Sequence, residues 1–178
     1  MKLLCKLFVL FLVFFISGCN SYYANQTPAR EEARLLKVID GDTIKVLYKG
    51  KKTSVRLLLI DTPETKSPKT CVQPYGLEAS KRLQELLKDD LVELEFEPEE
   101  DEKKDKYGRL LAYVYSDGKL IQKQLLEEGY ARLAYIFKSN YLHLEQLKKS
   151  ESIAKNKQIN IWSTPNYVTS RGFSYCEL

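Results

Sequence analysis

Four carboxylates and two arginines stand where they could do chemistry together. Asp40, Asp42, Asp61 and Glu64 fall at the ends of neighbouring apolar segments, and Arg56 and Arg109 lie within or at the start of others. Clustered carboxylates repel, so a persistent cluster calls for a cation. With oxygen ligands alone on offer, a hard ion fits, Ca²⁺ or less readily Mg²⁺. No histidine or cysteine group suggests zinc. The lone His143 reads as a helical surface residue. Arginine stays protonated, and its fork matches phosphate oxygens. Two such forks beside a divalent cation make an electropositive pocket of the kind that stabilises charge building on a phosphoryl group. The plainer alternatives are that Asp40-Gly41-Asp42 is ordinary turn chemistry and that Arg56 only bridges to Asp61 or Glu64. Such a bridge leaves Arg109 and the other acids without a role.

The elements that must position these groups are legible from periodicity. A strand is expected from about residue 34, through Leu35, Leu36, Val38 and Ile39, halted at Asp40-Gly41-Asp42. Ile44, Val46 and Tyr48 then alternate with Lys45, Leu47 and Lys49 up to Gly50, and a return strand covers about 53–60. Pro63 stops that strand, and residues 65–74 read as a loop. Ala79, Leu83, Leu86 and Leu87 predict a helix over 75–87. Val92, Leu94 and Phe96 predict a strand, followed by a solvated charged turn over 97–106. A fifth strand is expected over 110–115, and helices over 120–128 and about 140–155. The pattern is α+β, and a five-stranded, partly open OB-type barrel with three helices is the best small candidate.

The 178 residues suffice for one cored domain, and 44% apolar with 29% charged residues suits a folded protein. A net charge of +4 argues only weakly for nucleic acid. Residues 1–18 read as an export signal: Lys2 and Lys6 precede an apolar run over 7–16, closed by Ser17-Gly18-Cys19. That run is shorter than the roughly 17–25 residues of a spanning helix. The end of the segment resembles a bacterial lipobox, which implies lipidation at Cys19 and an extracytoplasmic protein anchored to the membrane; simple secretion is the alternative. Residues 19–32 read as a tether, 33–164 as the domain and 165–178 as a polar tail. Cys71 and Cys176 could form a disulfide in an oxidising compartment or remain two free thiols.

The motifs together carry a family resemblance. Val38-Ile39-Asp40-Gly41-Asp42-Thr43, Arg56-Leu57-Leu58-Leu59-Ile60-Asp61-Thr62-Pro63-Glu64, Tyr75-Gly76-Leu77-Glu78-Ala79, Asp105-Lys106-Tyr107-Gly108-Arg109-Leu110-Leu111-Ala112-Tyr113 and Asn160-Ile161-Trp162 resemble the staphylococcal nuclease (thermonuclease) family over residues 34–162. The resemblance implies calcium-dependent hydrolysis of DNA and RNA on an OB-fold, leaving 3′-phosphate ends. It implies Ca²⁺ held by the Asp42 and Asp61 carboxylates and the Thr62 carbonyl, with Asp40 behind them. Glu64 matches the general base, and Arg56 and Arg109 match the arginines that stabilise the transition state. Lys106, Tyr107 and Tyr135 match groups around the substrate's phosphate and base, and a monomer is expected. Phe137 departs from the pattern, standing where the best-known member has a tyrosine. Thr70-Cys71 likewise replaces a lysine-glycine pair. The competing reading from another class is a non-catalytic OB-fold lipoprotein that binds nucleic acid; the complete catalytic set argues against it.

Overall fold

Ile44 and Val46 are fully buried while Leu47 between them and the next strand is exposed, the alternation of a strand with one face on a core. A computed structural model describes residues 29–65, 72–98 and 103–174 of the chain. The segment read as an export signal, Cys19, Cys71 and Cys176 lie outside the described residues, as does all but the end of the stretch read as a tether. Among the described residues no helix is long and apolar enough to cross a membrane.

Strand β1 (Glu31–Asp40) starts within the stretch read as tether. It pairs antiparallel with β2 (Thr43–Tyr48), which pairs with β3 (Lys51–Leu57). The first residues of β1 also pair with β5 (Leu91–Glu95), which pairs with β6 (Leu110–Ser116). Parallel pairing of β3 with β6, Val55 to Leu110 and Arg56 to Leu111, closes the barrel at five strands. Two register shifts in β1 give it the bends that let one strand serve both halves. The short β7 (Lys119–Leu120) extends β6.

Three helices cover the barrel: α1 (Gly76–Leu86), α2 (Ile121–Glu127) and α3 (Leu144–Lys157). Gly76, Ala79 and Leu83 bury one face of α1, at the three- and four-residue spacing of a helix. In α2 the fully buried Gln122 is satisfied by the neighbouring strand, its amide accepting from Val114 N at 3.1 Å and donating to Ala112 O at 3.0 Å.

The structure departs from the sequence reading in four further places. The return strand does not run through to Ile60. The chain turns at Leu58-Leu59, with Leu59 at φ +63°, and a new strand β4 (Ile60–Asp61) pairs with β8 (Arg132–Leu133). A left-handed non-glycine residue carries strain of about 1–3 kcal/mol. Here burial of both leucines offsets it, as do hydrogen bonds from Leu58 N to Ala112 O and from Ala134 N to Leu59 O, each 3.0 Å. Second, Glu97, at the start of the charged run, is buried and accepts from the Tyr113 hydroxyl at 2.7 Å and Leu142 N at 2.9 Å. Third, His143 is no free surface residue: Nε2 lies 2.6 Å from Glu95 Oε2 and 3.1 Å from the Tyr115 hydroxyl. Fourth, the stretch after Pro165 forms a hairpin, β9 (Val168–Thr169) with β10 (Gly172–Phe173). Tyr167 and Phe173 from it pack with Ile161 in a small second core.

Candidate active site

The turn between β1 and β2 and the strand end at β4 meet through a glycine. A Cβ on Gly41 would fall 2.5 Å from Thr62 Oγ1 and 2.9 Å from Ala79 Cβ, so only glycine lets the acid-bearing turn pack this closely. Asp42 is thereby buried at 6% exposure. Its Oδ2 accepts from Thr62 N at 3.1 Å and pairs with Arg56 Nη1 at 2.8 Å, while Oδ1 accepts from the Thr43 hydroxyl at 3.0 Å. Asp40 Oδ1 accepts from Asp42 N at 3.2 Å.

Arg56 ties the turn to the strand end. Besides Asp42, it reaches Asp61 Oδ1 through Nη2 at 3.3 Å and Ile60 O through Nη1 at 2.9 Å. The expected bridge therefore exists, but to two carboxylates at once, which shows that Asp42 and Asp61 converge on one cationic position. The other oxygen of Asp61 is held by a residue with no assigned role from the sequence: Arg132 Nε and Nη2 both stand 3.0 Å from Oδ2. No local signal marks Arg132, since its partner lies 71 positions away.

Arg109 is aimed by a self-contained turn. Asp105 Oδ1 accepts from both Tyr107 N and Arg109 N at 2.9 Å, and Oδ2 receives the Arg109 guanidinium through Nε and Nη2 at 2.7 Å. Gly108, at φ +78°, supplies the left-handed step. Asp105-Lys106-Tyr107-Gly108-Arg109 has the composition of an Asx-turn, so this clamp is local in the chain. Arg56 and Arg109 both open onto one cavity of about 550 Å³, which Lys106, Tyr107, Tyr135 and Phe137 also line. The Tyr135 ring lies 5.5 Å from the Arg56 guanidinium, and the Tyr107 ring 5.4 Å from that of Arg109. Phe137 is 84% exposed, so its ring presents a bare stacking face at the rim.

Glu64 lies within reach of the charges of Asp40, Asp61, Arg56 and Arg109, but its side chain receives no hydrogen bond among the described residues. Its backbone is held instead: Gln73 Oε1 accepts from Glu64 N at 2.8 Å, and Gln73 N donates to Glu64 O at 3.1 Å. A Cβ on Gly76 would fall 2.5 Å from Glu64 O. Gln73 is another residue that sequence did not reveal, because it acts from the far side of a loop.

The charges set the protonation states. Burial pushes the Asp42 carboxyl up to about 8; the Arg56 charge opposes this, and the negative charges of Asp40 and Asp61 add to it. Burial also raises Glu64, helped by Asp40 and Asp61 and opposed by Arg56 and Arg109. Burial would lower Arg56, but Asp42 and Asp61 raise it on balance, so it remains a cation. For Asp105, burial is outweighed by the backbone and side-chain hydrogen bonds from Arg109, which hold it below the usual carboxylate range.

Among the described residues no three carboxylates, histidines or cysteines group closely enough to enclose a metal by themselves. The donor set is instead two carboxylates, Asp42 and Asp61, with the Thr62 peptide hydrogen-bonded to one of them. Burial raises the Asp42 carboxyl even though Arg56 faces it, so the ionised form would gain from further positive charge. A hard divalent ion that takes its remaining oxygens from water and ligand fits such a set.

Fold and site together define an OB-barrel protein whose mouth presents two arginines beside an acidic cluster. The family model described as "Staphylococcal nuclease homologue" matches residues 54–164, and the chain belongs to that family. It is 54% identical over 140 residues to "Endonuclease YncB" of Bacillus subtilis (strain 168), covering 79% of this chain and 65% of that protein. It is 53% identical over 145 residues to the "SPbeta prophage-derived endonuclease YokF" of the same organism, covering 82% of this chain and 48% of that one. Similarity to the "Thermonuclease" of Staphylococcus hyicus is 40% over 141 residues, 79% of this chain and 81% of the other. The chain thus spans less than two thirds of the two Bacillus proteins.

Proposed function

We propose that this protein is a metal-dependent nuclease that hydrolyses phosphodiester bonds of DNA and RNA to 3′-phosphate and 5′-hydroxyl ends. The observation that carries this is the opening of Arg56 and Arg109 onto one cavity, with Arg56 also bridging Asp42 and Asp61. The names of the relatives support the class of activity. Asp42, Asp61 and the Thr62 carbonyl would hold Ca²⁺, which supplies positive charge against the phosphate oxygens. Arg56 and Arg109 donate to the phosphate and offset the charge that develops on it as the water oxygen bonds to phosphorus. Glu64 takes the proton of that water. The bond from phosphorus to the 5′ oxygen then breaks, and that oxygen leaves as a hydroxyl, taking its proton from solvent water. A raised Glu64 is the better base for this, because its conjugate acid lies nearer the working pH. Lys106, Tyr107 and Tyr135 line the cavity where the flanking phosphate and base would lie.

The lipobox-like sequence around Cys19 supports an anchored extracytoplasmic form; the mass of the mature N-terminus tests it. For the activity, the test is incubation with plasmid DNA and with RNA, in Ca²⁺ and in chelator. Cleavage of both in Ca²⁺ alone is expected. Binding without cleavage would instead make the chain a nucleic-acid-binding module.

A further inference from the structure

The C-terminal hairpin lies beyond the part matched by the family, which ends at residue 164. It is nevertheless packed onto the segment that holds Glu64. The Tyr167 hydroxyl donates to Pro74 O, and the Tyr167 ring lies 6.1 Å from that of Tyr75. Tyr167 is 5% exposed and is fixed in turn by the hairpin, through Phe173 at 5.5 Å between ring centres and Ser174 N donating to Tyr167 O at 2.8 Å. The Tyr75 hydroxyl is hydrogen-bonded to Ser163 Oγ at 2.8 Å. Pro74 and Tyr75 follow directly on Gln73, whose main chain and side chain make both hydrogen bonds to the Glu64 backbone.

We propose that Tyr167 is a positioning residue for the reaction. Through Pro74 and Gln73 it straps the Glu64 backbone against the barrel, so that the base meets the substrate in one place. The proposal rests on the reading of Glu64 as the base. The physical need is clear: among the described residues the Glu64 carboxylate has no hydrogen-bond partner, and the bonds that hold the residue are those of its backbone to Gln73. A rigid shell behind a reacting group removes the misplacement that would otherwise slow the chemical step. The hydroxyl-to-carbonyl bond is suited to this, because it fixes the segment from outside without adding a charge near the acids.

The test is Tyr167→Phe, which keeps the ring and the small core and removes the one donor. Amide hydrogen exchange should speed up at Glu64 and Gln73 by about tenfold or more, while Val46 and Ala112 in the barrel stay as they were. In the same variant kcat should fall by about tenfold with KM within about twofold, since binding contacts are untouched. Should Tyr167→Phe fold poorly, Ser163→Ala releases the adjacent Tyr75 hydroxyl and should show the same local pattern at smaller amplitude. Unchanged exchange at Glu64 and Gln73 would overturn the proposal. So would a uniform rise across the barrel amides, which would make Tyr167 merely structural. Absence of cleavage by the unaltered protein would defeat the nuclease reading, while the exchange data would still decide whether the strap exists.

Discussion

Asp61 and Arg132 are joined by a forked ion pair, Nε and Nη2 of the arginine each 3.0 Å from one carboxylate oxygen. Both side chains are nearly buried, at 12% and 13% exposure. The pair sits on the two short strands β4 and β8, whose backbone pairing it reinforces. It also fixes which way the second Asp61 oxygen faces, toward Arg56.

Removing one partner of a nearly buried pair leaves the other charge uncompensated. Arg132→Met should therefore destabilise the fold by about 2–4 kcal/mol. Arg132→Lys should recover only part of this, because an ammonium lacks the fork. Urea unfolding of the three proteins in chelator checks this. Equal stabilities would mean that Arg56 alone suffices for Asp61.

Asp105 should act on the reaction through Arg109, whose guanidinium it clamps. Asp105→Asn keeps the size and loses the charge, and about a tenfold fall in kcat/KM is expected. The pH dependence has a definite sign. Asp105 lies below its ordinary value of 3.8 in the fold, so its stabilising contribution is present above that value. It is lost as the pH falls through the lower folded value. The stability gap between wild type and Asp105→Asn should thus be full at neutral pH and close below about pH 4. A gap that instead widened on acidification would contradict the assignment.

Much of this site could be seen in the sequence, and the reason is locality. Asp40-Gly41-Asp42 and Asp105-Lys106-Tyr107-Gly108-Arg109 are turns whose own residues make their own bonds. Strand alternation located Ile44, Val46, Val92 and Leu94 in the core. What was hidden depends on distant partners. The break at Leu58-Leu59 carries no glycine or proline, since burial and hydrogen bonds to Ala112 and Ala134 make the turn. Glu97 looked like one more solvated acid until Tyr113 and Leu142 came to meet it. Arg132 and the hairpin around Tyr167 act across 71 and 93 positions, and Gln73 reaches back over nine, across a loop.

Metal removal should be linked to protons at Asp42. Its folded value, pushed up by burial to about 8, exceeds the ordinary 3.8, so the metal-free fold binds a proton that the unfolded chain does not. Stability in chelator should therefore fall as the pH rises through this window. Ca²⁺ needs the ionised carboxylate, so binding at pH 7 should release protons. Calorimetric titration in two buffers of different ionisation enthalpy reads this directly. Identical heats in the two buffers would refute it. Asp42→Asn should abolish both the binding and the release.

Glu64, Arg56 and Arg109 should act on one phosphodiester. Single-turnover cleavage of a defined DNA strand in Ca²⁺ tests it most directly, comparing wild type with Glu64→Gln and Arg109→Ala under matched folding. Wild type should cleave rapidly to a 3′-phosphate end, and each variant should lose about 10²–10³-fold. Near wild-type rates in either variant, or no cleavage by the unaltered protein, would contradict it.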